Sequence, residues 1–208
     1  MDYYLGMIGM IAFSVTAVLA VSDKGIDLFG AVVLGLITAI GGGTLRDTIL
    51  EVPVFWSIDQ NYLWVSIAAS VVAFYGNRWV AKKSVYQLML YLDGIGVSLF
   101  AIQAADKVYN LDFALPLGPI MLGIITAIGG GLIRDVLAGK PTLLMRKELY
   151  AVPITVGCIL FIFLINHFPE SQVPIALGCV IFTFTFRAAA IYWKLSVPIW
   201  MMLKTTDK

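Results

Sequence analysis

Residues Gly35 to Pro53 read GLITAIGGGTLRDTILEVP, and 88 positions later Gly123 to Pro141 read GIITAIGGGLIRDVLAGKP. Eleven of the nineteen positions are identical, including the threonine, the glycine triplet, the Arg-Asp pair and the closing proline. Each copy runs from an apolar stretch into Gly41, Gly42 and Gly43, or Gly129, Gly130 and Gly131, and then into Arg46-Asp47 or Arg134-Asp135. In water, three adjacent glycines would cost a helix about 3 kcal/mol relative to alanine. In a bilayer, a break survives only where neighbouring protein or a wet cavity satisfies the freed backbone groups. The stretch therefore predicts two membrane helices, each broken at its triplet. Residues four apart share a helix face. Gly35, Ala39, Gly43 and Asp47 make a small-residue stripe that lets another backbone come close, while Thr38, Gly42 and Arg46 make a polar one. Both stripes recur at Gly123, Ala127, Gly131 and Asp135, and at Thr126, Gly130 and Arg134. One such stripe alone reads as helix packing; repetition of the whole unit with its charges marks a shared working element.

Composition agrees with a membrane setting. Hydrophobic residues make up 60% and charged residues 13%, with mean hydropathy +0.91, which places the chain among polytopic membrane proteins. Nothing in a net charge of +1 suggests a nucleic-acid partner, and no basic run occurs, so none is expected. The opening Met1-Asp2-Tyr3-Tyr4 lacks the basic region of a cleavable signal, so the first apolar segment is expected to stay as a span. Cys158 and Cys179 sit in apolar segments without metal-type spacing and read as small core residues.

A span needs about 20 mainly apolar residues. Charges divide the chain into seven such segments, at about residues 4–21, 28–49, 62–80, 86–105, 114–137, 149–166 and 173–195. Distributing Lys and Arg over alternate sides puts ten on one side and only Lys107 on the other, with Arg46, Arg134 and Arg187 inside the spans. Cytoplasmic loops are enriched in these residues. The N-terminus is thus expected outside and the C-terminus in the cytoplasm. The repeat reaches beyond its core, since Tyr4-Leu5, Ile8-Gly9, Phe13 and Ala17 match Tyr91-Leu92, Ile95-Gly96, Phe100 and Ala104 at an offset of 87. The repeat unit is therefore three spans, and because three is odd the second unit enters from the opposite face. The expected fold is an all-α polytopic membrane protein of one membrane domain over residues 1–208: an inverted repeat of 3 + 3 helices (1–84 and 85–168), then a seventh helix and a cytoplasmic C-terminus (169–208). Transport proteins commonly build a midplane site from such inverted, interrupted helices.

GGGTLRD and GGGLIRD in the second and fifth of seven spans, with Arg187, Trp193 and Pro198 at the seventh, resemble the prokaryotic branch of the trimeric intracellular cation channel family. The resemblance covers essentially the whole chain. It implies a homotrimer in a prokaryotic plasma membrane, the inner membrane in a Gram-negative cell, with a potassium-permeable path inside each protomer lined by the two bent helices.

The candidate residues each have a functional and a structural reading. At a broken helix, the triplets Gly41–Gly43 and Gly129–Gly131 would expose carbonyl oxygens able to replace part of a cation's hydration shell; the alternative is a close crossing without ion contact. Thr38 and Thr126 either face the path or bond the carbonyl one turn back. Charges at the bilayer centre are expensive unless paired or wetted, which singles out Arg46, Asp47, Asp93, Arg134, Asp135 and Arg187. Rise along the spans places Arg46 and Asp47 near the outer face. It gathers Asp93, Arg134, Asp135 and Arg187 in the inner half as one cluster, either lining the path or bracing the bundle. His167 is the only histidine and no nucleophile motif, phosphate loop or carboxylate-rich metal site occurs, so neither catalysis nor a cofactor is expected; potassium or sodium would be the permeant species. Asp23 and Ser171 read as helix caps or loop residues. On residues alone, a cation channel and a secondary transporter for a small polar solute such as an amino acid both remain open.

Overall fold

The computed structural model describes residues 3–79 and 82–197. Met1, Asp2, Val80 at the end of the third expected span, and Pro198 with the expected cytoplasmic C-terminus lie outside the described residues. The described chain is helical: α1 (Tyr3–Ala20), α2 (Leu28–Ile49), the single turn α3 (Phe55–Ile58), α4 (Asn61–Gly76), α5 (Lys82–Asn110), α6 (Leu117–Leu137), α7 (Ala151–His167) and α8 (Gln172–Tyr192). Helices α1, α2, α5, α6 and α8 are long and apolar enough to cross a membrane, and α7 is a shorter apolar helix of 17 residues. Helix α4 has 16 residues, or about 24 Å of rise. Large apolar side chains such as Phe29, Val72, Ile181 and Phe163 are exposed on the outside of the bundle, as a lipid environment allows.

The two repeated helices are not broken. Helix α2 runs without interruption through Gly41–Gly43, and α6 through Gly129–Gly131. Away from water, each unpaired backbone group would cost several kcal/mol, so the intact hydrogen-bond ladder outweighs glycine's weak helix preference. The missing Cβ atoms are used sideways instead. A Cβ on Gly42 would collide with the carbonyl oxygen of Thr126, and one on Gly130 with the carbonyl oxygen of Thr38. Rising numbers on one helix meet falling numbers on the other, so α2 and α6 cross antiparallel with backbone on backbone.

The same exchange governs the neighbours. Phe13 of α1 lies on Gly96 of α5, where an added Cβ would come within 2.8 Å of its ring; Phe100 of α5 lies on Gly9 of α1, with 3.0 Å left. Gly35 of α2 abuts Ser70 of α4, and Gly123 of α6 abuts Cys158 of α7. Helices α1, α2 and α4 thus correspond to α5, α6 and α7, contact for contact. Helix α8 packs on α5 and α7 outside this pattern, closing a second apolar core around Ile102, Phe161, Ile165 and Cys179.

Both repeated helices also end alike. The C-terminal turns are closed by Leu50 N–H to the Arg46 carbonyl and Ala138 N–H to the Arg134 carbonyl. Glu51 and Gly139 then take left-handed backbone angles, φ 54° and 57°. That conformation ends helices most easily at glycine; Glu51 adopts it without that advantage. At the start of α2, Asp27 is the cap, accepting from Gly30 N–H at 2.7 Å. Asp23 instead pairs with Lys140 at 2.9 Å, which holds its carboxyl below the usual carboxylate range, and Ser171 makes no side-chain cap bond.

Gly42→Ala and Gly130→Ala should each destabilise the purified protein by about 1–3 kcal/mol, because the obstructing atom is backbone. Gly178→Ala, in open space on α8, should be neutral or stabilising. Thermal unfolding in detergent distinguishes these outcomes; equal losses at all three sites would refute the crossing.

Candidate functional site

Two cavities open at opposite ends of the bundle formed by α1, α4, α5 and the α2–α6 pair. The inner one, so called because the basic-residue bias leads us to expect the cytoplasm at that end, holds about 630 Å³ and is bordered by Leu19, Asp23, Arg78, Tyr86, Met89, Asp135, Lys140 and Arg146. The outer one holds about 230 Å³ and is bordered by Tyr3, Phe13, Gly42, Gly43, Arg46, Phe55, Tyr62, Phe100, Gln103, Asp106, Lys107 and Thr126. Along α1 they are separated by the six residue steps from Phe13 to Leu19, about 9 Å of helix. The Phe13 and Phe100 rings, 5.3 Å apart and tilted by 32°, close the outer side of this partition. Thr16 and the Arg134 cluster fill it below.

Each Arg-Asp pair is a bond between sequence neighbours, which at the same time ties down the loop that follows. Arg46 Nε donates to Asp47 Oδ1 at 2.7 Å, and Phe55 N–H donates to Asp47 Oδ2 at 2.9 Å. Arg134 Nε donates to Asp135 Oδ1 at 2.8 Å, and Leu143 N–H donates to Asp135 Oδ2 at 3.0 Å. In both copies the aspartate holds the amide eight residues onward, drawing the chain back over the helix end. The third charge differs. Asp47 also accepts Lys107 Nζ at 2.7 Å, whereas Arg134 Nη1 donates to Asp93 Oδ1 and to Thr16 Oγ1, each at 2.9 Å. Lys107 and Asp93 stand on α5 where the first repeat has Ala20 and Gly6. The outer trio thus carries a surplus positive charge and the inner trio a surplus negative one.

The expected inner cluster forms around Arg134, Asp93 and Asp135, all at least nine-tenths buried. Arg187 takes a different post: its Nη1 donates to the Leu149 carbonyl at 3.0 Å and its guanidinium lies 5.0 Å from the Tyr150 ring centroid. Thr38 and Thr126 are fully buried and donate to the carbonyls one turn back, Leu34 at 2.7 Å and Leu122 at 2.6 Å. Of the candidate residues, Gly42, Gly43, Arg46 and Thr126 border the outer cavity and Asp135 the inner one. Gly41, Gly129, Gly130, Gly131, Thr38, Asp47, Asp93, Arg134 and Arg187 border neither. Among the described residues no group of histidine, cysteine or acidic side chains could hold a metal.

Sequence reasoning passed over several residues. Lys107 was placed in a loop, but α5 continues to Asn110 and carries it into the bundle. Thr16, Gln103, Asp106 and Tyr62 gave no signal. Phe13 and Phe100 did, as matching positions of the repeat.

Removing Arg134 leaves Asp93 and Asp135 buried without their cation, whereas removing Arg46 leaves Asp47 still bonded to Lys107. Loss of one partner from a buried pair costs about 3–5 kcal/mol. Arg134→Leu should therefore lower the yield of monodisperse protein and its unfolding temperature far more than Arg46→Leu. Equal sensitivity would contradict the assignment.

Comparison with known proteins places this arrangement. A family model described as Glycine transporter matches residues 3–78 and again residues 90–166. The inner membrane protein YadS of Escherichia coli (strain K12) is 34% identical over 197 residues, covering 94% of each chain. A membrane protein of Vibrio cholerae is 36% identical over 205 residues, 97% of this chain and 84% of that one. Among solved structures, the TRIC trimeric intracellular cation channel orthologue from Rhodobacter sphaeroides superposes with a TM-score of 0.85 at 32% identity, over 92% of this chain and 97% of that one.

Proposed function

The chain belongs to the prokaryotic trimeric intracellular cation channel family, whose sequence model carries the description Glycine transporter, and from that premise we propose that each protomer of a homotrimer encloses its own path for monovalent cations, potassium foremost. The observation that carries this reading is the pair of cavities entering one protomer from opposite ends, separated by about 9 Å of packed side chains. A path through this partition needs displacement of Phe13 and Phe100 at its outer side and of the Thr16–Arg134 contact below them, not separation of whole domains. The charge of the permeant species is argued from the solved relatives, which are cation channels by name. Seven helices cross in this reading, with α4 and α7 spanning as short helices, and the basic-residue bias sets the N-terminus outside. The glycine triplets act as the contact on which the two repeats meet, and the Arg-Asp clusters as its braces; Gly42, Gly43, Thr126 and Arg46 are the candidate residues that border the outer cavity.

A second reading has specific support. The family description names glycine. Two cavities closed from each other also suit alternating access.

Proteoliposomes decide between them. Potassium flux should be present in the parent and rise several-fold in Phe13→Ala and Phe100→Ala. Saturable uptake of labelled glycine without potassium flux would replace the channel with the carrier. Orientation is tested separately: a cysteine at Lys147 should label only from the cytoplasm and one at Asp59 only from outside, and labelling from one common face would overturn the inverted arrangement.

A further inference from the structure

The two ends of the protomer differ by one carboxylate. In the inner cluster Arg134 Nη1 donates to Asp93 Oδ1 and to Thr16 Oγ1. The Tyr150 hydroxyl stands beside them, since a Cβ on Gly131 would lie 3.4 Å both from it and from Asp93 Oδ1. The repeat offsets of 87 and 88 pair Arg134 with Arg46, Tyr150 with Tyr62, Thr16 with Gln103 and Asp93 with Gly6. Arg46, Tyr62 and Gln103 all border the outer cavity. A Cβ on Gly6 would lie 3.3 Å from the Tyr62 hydroxyl and 3.6 Å from Gln103 Nε2. The outer donors thus converge on the place where the second repeat carries an acid and the first carries none.

Those donors are unspent. Among the described residues neither Nη group of Arg46, the Gln103 amide nor the Tyr62 hydroxyl donates a hydrogen bond, although Arg46 is only 7% exposed. Lys107 uses one of its three N–H donors, on Asp47. Asp47 is occupied at both oxygens, by Arg46 and Lys107 at Oδ1 and by the Phe55 amide at Oδ2. Asp106, the one acidic residue among those bordering the cavity, accepts from Gln172 Nε2 at 2.7 Å and has a further partner.

We propose that the outer cavity binds a small monovalent anion, of the size of chloride or acetate, which takes the part that the Asp93 carboxylate plays at the inner end. It accepts from the Arg46 fork, Gln103 Nε2 and the Tyr62 hydroxyl, with Lys107 beside it. Hydrogen bonds from a guanidinium to an anion are among the stronger ones. The surplus positive charge of the outer trio favours one negative charge, and Asp106 on the border disfavours a second. About 230 Å³ suits an ion of this size and lies below the roughly 300–1,000 Å³ of sites for drug-sized ligands. The site goes beyond both readings of transport and depends on neither. In a channel the anion is a fixed counter-ion at the outer mouth.

The test is the unfolding temperature of the detergent-purified full chain as chloride or acetate replaces gluconate, an anion too large for the cavity, at constant ionic strength. The parent should gain stability saturably with at least one of the two, as a ligand of the folded state requires. A response to chloride alone identifies a halide site and one to acetate alone a carboxylate site. Gly6→Asp restores the carboxylate within the chain, so it should abolish the response and be as stable in gluconate as the parent is in the saturating anion. Gln103→Leu and Tyr62→Phe break no hydrogen bond of the structure, fold irrespective of the fate of Gly6→Asp, and should each raise the half-saturating concentration several-fold. No saturable response in the parent, a full response in Gly6→Asp, or unchanged half-saturation in both donor variants overturns the site. Potassium flux on the same preparation keeps the questions apart: flux without an anion response removes this site and leaves the channel.

Discussion

The α2–α6 crossing constrains everything around it. Two backbones touch where Gly42 faces the Thr126 carbonyl and Gly130 faces the Thr38 carbonyl, and no side chain fits between them. Helices in a bilayer gain little from burying apolar surface against each other, so close packing of small residues supplies much of the association energy. The crossing sets the distance between the repeats, and that distance decides what α1 and α5 can bring to the partition. Phe13 on Gly96 and Phe100 on Gly9 are the same device one layer out. Glycine is thus used at each level for proximity. The small-residue stripe in the sequence and the closed partition in the structure are two expressions of one constraint.

The buried charges follow from it. A helix pair locked at backbone contact leaves its C-terminal loops to be folded back, and one carboxylate oxygen on each aspartate does this by accepting an amide eight residues ahead. The arginine beside it neutralises that carboxylate at minimal separation. This explains why the Arg-Asp pair belongs to the repeat while its third partner does not. Lys107 and Asp93 are additions by α5, one of each sign, and they make the two halves electrically different although their backbones correspond. A solute moving through the protomer would leave a positively biased trio and approach a negatively biased one.

Much of this was legible in the residues. Hydropathy and the doubled motif gave the helical membrane fold, a small-residue face on each repeated helix, and the gathering of Asp93, Arg134 and Asp135. The broken helices were misread because glycine's preference was taken from water, where a freed amide finds a partner; in a dry interior the ladder stays closed. Arg187 stands beside the cluster, over the Tyr150 ring, but donates to the Leu149 carbonyl, because rise along a helix fixes depth but not the direction of the side chain. Lys107 was lost to a boundary error of five residues at the end of α5, where Asp106 and Lys107 looked like a loop. The cavities had no sequence signature, since they lie between helices whose lining residues are far apart in the chain.

The account stands or falls on a path confined to one protomer. Single-channel recording of oligomers containing one Phe13→Cys subunit, during modification by a bulky charged thiol reagent from the outer side, measures this directly. The account predicts loss of one conductance unit with the others unchanged, in proportion to the number of modified subunits. Complete loss of current on modifying a single subunit, or no loss at all, would contradict it and move the path to the oligomer axis.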